Sequence, residues 1–299
     1  MFNHILVPLD GSSLAEAALP VAATMAQTLN VPITLLHIIE QDASPEIHRD
    51  RHLTNVAEAE TYLAQVAQLT FFPGIDVERH VHSAAIKDVA SSIVDHSANE
   101  YHPNLIILTS HGNSGMRDLF FGTIAQDVAA ASGTPVLLVK PRPAVTPFHL
   151  RRILVPLDNE SIHDQVLPFA KEMVTAFRAQ LDLLCVIPTL ATLSGEQAAV
   201  SNLLPTTAAA YLDIAEEIAV EHFQAHLDDF QNMGIVSTAE IARGDPASVI
   251  AKTAEKNNAD LILFGTHGRA GFDAFWNRSV AASVARKTDI PSLLIPLQD

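Results

Sequence analysis

Residues 5–10 read Ile-Leu-Val-Pro-Leu-Asp, and residues 153–158 read Ile-Leu-Val-Pro-Leu-Asp again. A second match pairs Leu-Ile-Ile-Leu-Thr-Ser-His-Gly at 105–112 with Leu-Ile-Leu-Phe-Gly-Thr-His-Gly at 261–268. A third pairs Thr-Pro-Val-Leu-Leu-Val at 134–139 with Ile-Pro-Ser-Leu-Leu-Ile at 290–295. Three matches in the same order mark an internal repeat. The first pair is offset by 148 residues (5 to 153) and the other two by 156 (105 to 261), so the second copy carries extra residues in its middle, around 188–207. Between the copies lies Pro-Arg-Pro-Ala-Val-Thr-Pro at 141–147, whose prolines suit a short extended linker. The expected division is a first domain over 1–140, a linker over 141–148 and a second domain over 149–299.

The whole chain agrees with two domains. It has 299 residues, about twice the commonest domain size. Apolar residues make up 48% and charged residues 17%, enough for a sizeable core and inconsistent with a disordered chain. Lys and Arg number 18 against 34 Asp and Glu, a formal charge of -16. Such a chain repels phosphate backbones and anionic lipid, so neither nucleic acid nor a membrane surface is an expected partner. One small anion held by backbone amides remains compatible with that charge. The lone cysteine, Cys185, excludes an internal disulfide and a cysteine-built zinc cluster. No basic-then-apolar leader opens the sequence and no apolar run approaches 18 residues, so a cytoplasmic protein is expected.

Within each copy short apolar runs alternate with segments of helical period, the pattern of an α/β fold with a parallel sheet covered on both faces. In the first copy the expected strands are 5–9, 33–39, 75–81, 105–109 and 136–139. Ser13 and Glu16 have capping-box spacing, followed by a stripe of Leu14, Ala18, Val21, Ala22, Met25 and Leu29. The second copy repeats the stripe with Val166, Phe169, Ala170, Met173, Val174 and Phe177. Both stripes read as core.

In an open parallel sheet, ligands bind outside the carboxyl ends of strands where neighbouring connections diverge. Two segments of each copy sit there. The loop after the first strand reads Pro8-Leu-Asp-Gly-Ser12 in one copy and Pro156-Leu-Asp-Asn-Glu160 in the other. Asp10 and Asp158 either accept hydrogen bonds from ribose hydroxyls or cap the next helix. The loop after the fourth strand reads Thr109-Ser-His-Gly112, then nine residues, then Gly122-Thr123-Ile124. Glycine admits close approach of phosphate oxygens, and a helix N-terminus favours an anion; the alternative is an ordinary strand-to-helix loop.

On these motifs the sequence resembles the universal stress protein family in its tandem two-domain form, once per half over nearly the whole chain. ATP-binding members carry Gly, two residues, Gly, nine residues, then Gly and Ser or Thr. Gly112, Gly122 and Thr123 match, with Thr109 in place of the first glycine. In the second half Gly265, Gly268 and Ser279 match, with Arg278 in place of the last glycine. The resemblance implies five parallel strands per domain in the order 3-2-1-4-5, with ATP, alone or with Mg, between strand one and the strand-four loop. Position by position it implies Pro8, Leu9 and Asp10 at adenine and ribose, Ile38 at the base, and Thr109, Gly112, Gly122, Thr123 and Ile124 at ribose and phosphates. The matching positions are Pro156, Leu157, Asp158, Val186, Gly265, Gly268, Ser279 and Val280. Thr109 keeps ordinary strand geometry, whereas a side chain at Arg278 restricts the backbone and fills phosphate space or pairs with phosphate. The first half is therefore the expected ATP site. The family also dimerises through its last strand, so an internal pseudo-dimer through 136–139 and 293–295 is expected, with a homodimer of whole chains open.

No catalytic or metal-binding residue is expected. His48 with His52 and His222 with His226 have the i,i+4 spacing of a metal pair, but no Cys or motif-placed carboxylate completes either, so both read as solvated helix faces. His111 and His267 recur before a loop glycine without a nucleophile partner. A Gly-x-x-x-x-Gly-Lys-Ser/Thr loop is absent, which disfavours a P-loop NTPase. The expected function is an ATP-binding sensor or regulator in stress response, acting with an unknown protein partner. The alternatives are a nucleotide-free scaffold of the same fold and a slow ATP hydrolase.

Overall fold

A computed structural model describes residues 2–110, 123–141, 147–193, 195–267 and 279–298. The chain divides into two compact units, one built on Met1–His149 and joined by Leu293–Pro296, the other on Leu150–Thr266 with Arg278–Ser292 and Leu297–Asp299.

In the first unit the strands are β1 (Ile5–Pro8), β2 (Ile33–Glu40), β5 (Val77–Ile86), β6 (Leu105–Thr109) and β7 (Val136–Val139), with a two-residue hairpin of β3 (Glu46–Ile47) and β4 (Asp50–Arg51) between β2 and β5. The helices are α1 (Leu19–Leu29), α2 (Val56–Thr70), α3 (Val89–His96) and α4 (Thr123–Ala131). The five longer strands pair parallel in the order β5-β2-β1-β6-β7, with Ile5 opposite both Ile33 and Leu105. Helix α1 packs beside α2 and α3 beside α4, one pair on each face. Ile5, Leu6 and Val7 are buried because β1 is central and covered on both sides, which explains its uninterrupted apolar run. Edge strand β5 is mostly exposed or half-buried and carries Glu78, His80 and His82. Its polar alternation explains why it extends beyond the apolar stretch expected from sequence.

The second unit repeats the plan with β8 (Arg152–Pro156), β9 (Gln180–Ile187), β10 (Ser237–Arg243) and β11 (Leu261–His267), paired in the order β10-β9-β8-β11. Strand β12 (Ser292–Leu297) enters beside β11, where Ile262 N donates to Pro291 O at 3.0 Å. Its helices are α5 (Leu167–Phe177), α6 (Gly195–Leu203), α7 (Pro205–Asn232), α8 (Pro246–Lys256) and α9 (Val280–Lys287). Both units thus have the 3-2-1-4-5 strand order. The inserted residues of the second copy form α6 and the start of α7, which spans 28 residues against 15 for α2.

The two copies differ at paired positions. Buried Asp182 on β9 accepts two bonds from Arg152 Nη1 on β8 (3.1 and 3.0 Å), one from Thr238 Oγ1 (2.9 Å) and one from Asn257 Nδ2 (3.2 Å). At the corresponding places in the first unit, His4 Nε2 and Thr34 Oγ1 lie 2.8 Å apart, and His4 Nδ1 meets Tyr101 O at 3.0 Å. A part-buried ion pair in one copy is a histidine–threonine hydrogen bond in the other.

Candidate functional site

Strand β1 lies between β2 and β6, and the chain leaves β1 and β6 toward neighbours on opposite sides, so a crevice opens at their carboxyl ends. Leu9 N donates to Leu36 O (2.8 Å), which carries β1 pairing up to Asp10. Asp10 then turns the chain: its Oδ1 accepts from Ser12 N (2.8 Å) and Ser12 Oγ (2.7 Å). Ser12 Oγ in turn accepts from Ala15 N at 3.2 Å. One oxygen of Asp10 therefore does serve the turn and helix start, while its Oδ2 faces His48 Nε2 at 3.9 Å.

Gly11 makes this turn possible. Its φ is +89°, and a Cβ there would lie 2.7 Å from Leu53 Cδ1, so both backbone and space call for glycine. The second unit has Asn159 at that point, whose Nδ2 donates to Ala215 O on α7 (2.7 Å).

The β3–β4 hairpin closes over the first loop, which sequence patterning did not indicate. Asp50 Oδ2 accepts from Ser13 N (2.7 Å) and Ser13 Oγ (2.8 Å), and the backbone bond holds the Asp50 carboxyl below its ordinary range. Ser13 is thus spent on Asp50, and the expected capping box is replaced by a 3-10 turn at Ala15–Ala18. Buried His37 on β2 places Nδ1 2.8 Å from Leu9 O and Nε2 2.9 Å from Leu53 O, bridging β1 to the segment above it. On α2, burial raises the Tyr62 phenol, and the carboxylates of Glu16, Asp10 and Asp50 add to the rise. His48 and His52 are not on a helix: His48 sits in the hairpin turn at φ +53°, and His52 is buried with Nδ1 3.1 Å from Ser44 O. The only signals for this closure were Gly11 and the polar run 42–52, which a helical reading absorbed.

Of the remaining expected positions of the first half, Pro8, Ile38 and Thr109 lie at or near the carboxyl ends of their strands. Pro8 ends β1, Ile38 is buried near the end of β2, and Thr109 is buried at the end of β6, where Ser110 N donates to Val139 O (2.8 Å). Thr123 opens α4 and Ile124 is partly exposed beside it. Gly112 and Gly122 lie outside the described residues.

In the second half Pro156 ends β8, and Leu157 N donates to Leu184 O (2.9 Å). Asp158 is more exposed than Asp10, and its Oδ1 accepts from Glu160 N (3.0 Å) and His163 Nδ1 (2.6 Å). Val186 is half-buried on β9, while Ser279 caps α9 without a side-chain bond and Val280 follows it partly exposed. Gly268 and Arg278 lie outside the described residues.

Gly265 has a packing explanation. A Cβ there would meet Leu297 Cδ2 at 3.0 Å, Leu297 Cδ1 at 3.1 Å and Val166 Cγ1 at 3.1 Å. By the repeat offsets its counterpart is Thr109, and the counterpart of Val166 is Ala18. The 3-10 turn holding Ala18 packs on β6 as the one holding Val166 meets β11. The copies have exchanged a small strand residue with a large helix residue for the reverse arrangement.

The universal stress protein family model matches residues 1–140 and again 149–296, and the chain belongs to that family in its tandem form. Universal stress protein Rv2623 of Mycobacterium tuberculosis is 23% identical, covering 97% of this chain and 95% of its own length. Universal stress protein YxiE of Bacillus subtilis is 27% identical and covers 47% of this chain and all of its own. A universal stress protein structure from Archaeoglobus fulgidus superposes with a TM-score of 0.69 at 24% identity, over 99% of this chain and 97% of that one, a likeness of fold. No helix among the described residues is long and apolar enough to cross a membrane.

Proposed function

We propose that this tandem universal stress protein is a cytoplasmic sensor or regulator that binds ATP, with Mg, in its first unit and does not turn it over proficiently. The observation that carries the reading is Asp10 at the carboxyl end of the central strand, where β1 and β6 diverge, with Thr109 ending β6 and Ile38 near the end of β2. There a carboxylate accepts ribose hydroxyls, and the start of α4 offers backbone N–H groups to phosphate. Asp158 likewise has one oxygen engaged, by Glu160 N and His163 Nδ1, so the preference for the first half rests on the sequence, which has Gly122 where the second half has Arg278.

The test is calorimetric titration of Mg·ATP into wild type, Asp10→Ala and Asp158→Ala, with nucleotide released from the purified protein assayed beside it. Loss of a charge-assisted ribose contact worth about 1.5–3 kcal/mol weakens binding roughly 10- to 100-fold. One ATP per chain, weakened in Asp10→Ala and kept in Asp158→Ala, supports the reading. No heat and no co-purifying nucleotide overturn it in favour of a nucleotide-free scaffold, a reading favoured by the hairpin already seated over Asp10. Steady ADP release abolished by Asp10→Ala makes the protein an ATP hydrolase instead.

A further inference from the structure

On α7, His222 and His226 are one turn apart, and Asp164 reaches them from the 3-10 turn Ser161–Val166 that follows β8. His222 Nε2 lies 2.9 Å from Asp164 Oδ2, His226 Nε2 lies 3.4 Å from Asp164 Oδ1, and the two Nε2 atoms are 2.9 Å apart. The carboxylate that sequence spacing failed to supply to this pair thus comes from a distant loop.

With the Asp164 carboxylate ionised, no placement of the ring protons satisfies all three contacts at once. For His222 Nε2 to donate to Asp164 it must carry hydrogen, and it then has no lone pair for His226 Nε2. If both rings carry hydrogen there, two donors face each other; if either lacks it, a lone pair meets another acceptor. Asp164 Oδ1 is moreover buried without a hydrogen-bond partner. A single cation at the centre turns every one of these contacts into a ligand bond. Zinc binds imidazole nitrogen and carboxylate oxygen at about 2.0–2.2 Å, which in a tetrahedron sets ligand atoms about 3.3 Å apart. The observed spacings, 2.9 to 3.4 Å, require shifts of only a few tenths of an ångström.

A second trio, His80, His82 and His96, also gathers ligand atoms, but its closest contacts accept ordinary protons. His96 Nδ1 donates to Ser92 O (2.7 Å), leaving Nε2 to accept from His82 Nδ1 (3.2 Å).

We propose that Asp164, His222 and His226 form a binding site for a zinc-class divalent cation, with the fourth position open to water or a ligand. Two imidazoles select such an ion over magnesium, which prefers an all-oxygen shell, so the site is distinct from any metal carried by ATP. The ion fastens α7 to the loop that begins at Asp158. Asn159 already ties that loop to Ala215, one turn before Ala219 on the same helix.

The experiment titrates Zn²⁺, and separately Mg²⁺, into the untagged full chain after chelator treatment, by calorimetry, with Co²⁺ absorption reporting coordination. Wild type is expected to bind one Zn²⁺ per chain at this site, and Asp164→Asn and His226→Ala to weaken it about 100-fold or more. His82→Ala should leave it unchanged, and Mg²⁺ should not displace it. Hydrogen exchange should slow on Zn²⁺ addition in 158–166 and 219–228. Asp164→Asn keeps the side-chain shape, so it serves where His226→Ala fails to fold. The proposal is overturned if Zn²⁺ does not bind, if binding survives Asp164→Asn and His226→Ala, or if His82→Ala abolishes it.

Discussion

Replacing Gly265 with Thr copies the first unit's residue into the second and tests whether the two units have traded side-chain volume. The added Cβ alone would sit 3.0–3.1 Å from Leu297 and Val166, against an ordinary carbon contact of about 3.5–4.0 Å. Two more heavy atoms follow it into the same space, so the cost falls at the upper end of the usual overpacking range, about 2–3 kcal/mol. Val166→Ala alone removes two methyl groups from a fully buried side chain and costs about 2 kcal/mol. Combined, the pair rebuilds the Thr109–Ala18 arrangement. The double variant should lose only about 1–2 kcal/mol, a coupling of about 2–3 kcal/mol between adjacent sites. Scanning calorimetry reads this directly once the transition of the second unit is resolved from that of the first. Gly265→Thr should lower that transition by about 5–10 °C, and Val166→Ala in the same chain should return about half or more of the loss. If the double variant falls by the sum of the single losses to within about 0.5 kcal/mol, the packing account of Gly265 is wrong.

Asp182→Ala should cost about 1–3 kcal/mol, because it takes the acceptor from the part-buried guanidinium of Arg152, from Thr238 and from Asn257; urea unfolding checks this, and a loss below about 0.5 kcal/mol would mean that the pair is solvated. Asp88 accepts from Ser91 N (3.0 Å) and Ser91 Oγ (2.7 Å), and these bonds, the backbone one foremost, hold its carboxyl below the ordinary 3.8. Its stabilisation is therefore complete above the unfolded value and lost as pH falls through the lower folded one. Asp88→Ala should cost about 1 kcal/mol at pH 7, with the gap to wild type closing below pH 3.8; a gap constant down to pH 2 would contradict the cap. Burial pushes the Cys185 thiol up to about 11, so a disulfide reagent at pH 8 should find one thiol per chain only after denaturation.

The sheet was legible because its central strands are apolar throughout. Ile5–Pro8 and Leu105–Thr109 are covered on both faces, and hydrophobic burial there leaves no polar alternation to misread. The edge strand was harder: His80 and His82 alternate with smaller residues on a strand that is largely solvent-facing, so its far end looked like loop. Asp10 and Thr109 fall at the strand ends that the sequence pattern indicates, with Ile38 near the end of β2. The site was not legible at Asp50, Leu53 or Asp164, because each meets its partner from far along the chain. Asp50 is 37 residues from Ser13, and Asp164 is 58 residues from His222. Local periodicity carries no information about such pairs.

The repeat also shows how the first-strand loop is fastened differently in each copy. Both loops begin at an Asp at the carboxyl end of the central strand, and both are gripped by the segment that follows strand two. In the first unit that segment is the β3–β4 hairpin, which holds Ser13 through Asp50 and packs Leu53 on Gly11. Position 37 there is His, bridging Leu9 O to Leu53 O; the equivalent position 185 is a buried Cys with no such bridge to make. In the second unit the hairpin is replaced by α6 and the longer α7, and the grip passes to Asn159 on Ala215 and to Asp164 on His222 and His226. Gly11 therefore cannot be exchanged for its counterpart Asn159 without its neighbour. An asparagine side chain at residue 11 would enter the space of Leu53, whereas Asn159 projects toward a helix backbone that the first unit does not place there. The first-strand loop and the segment that fastens it therefore differ together between the two copies.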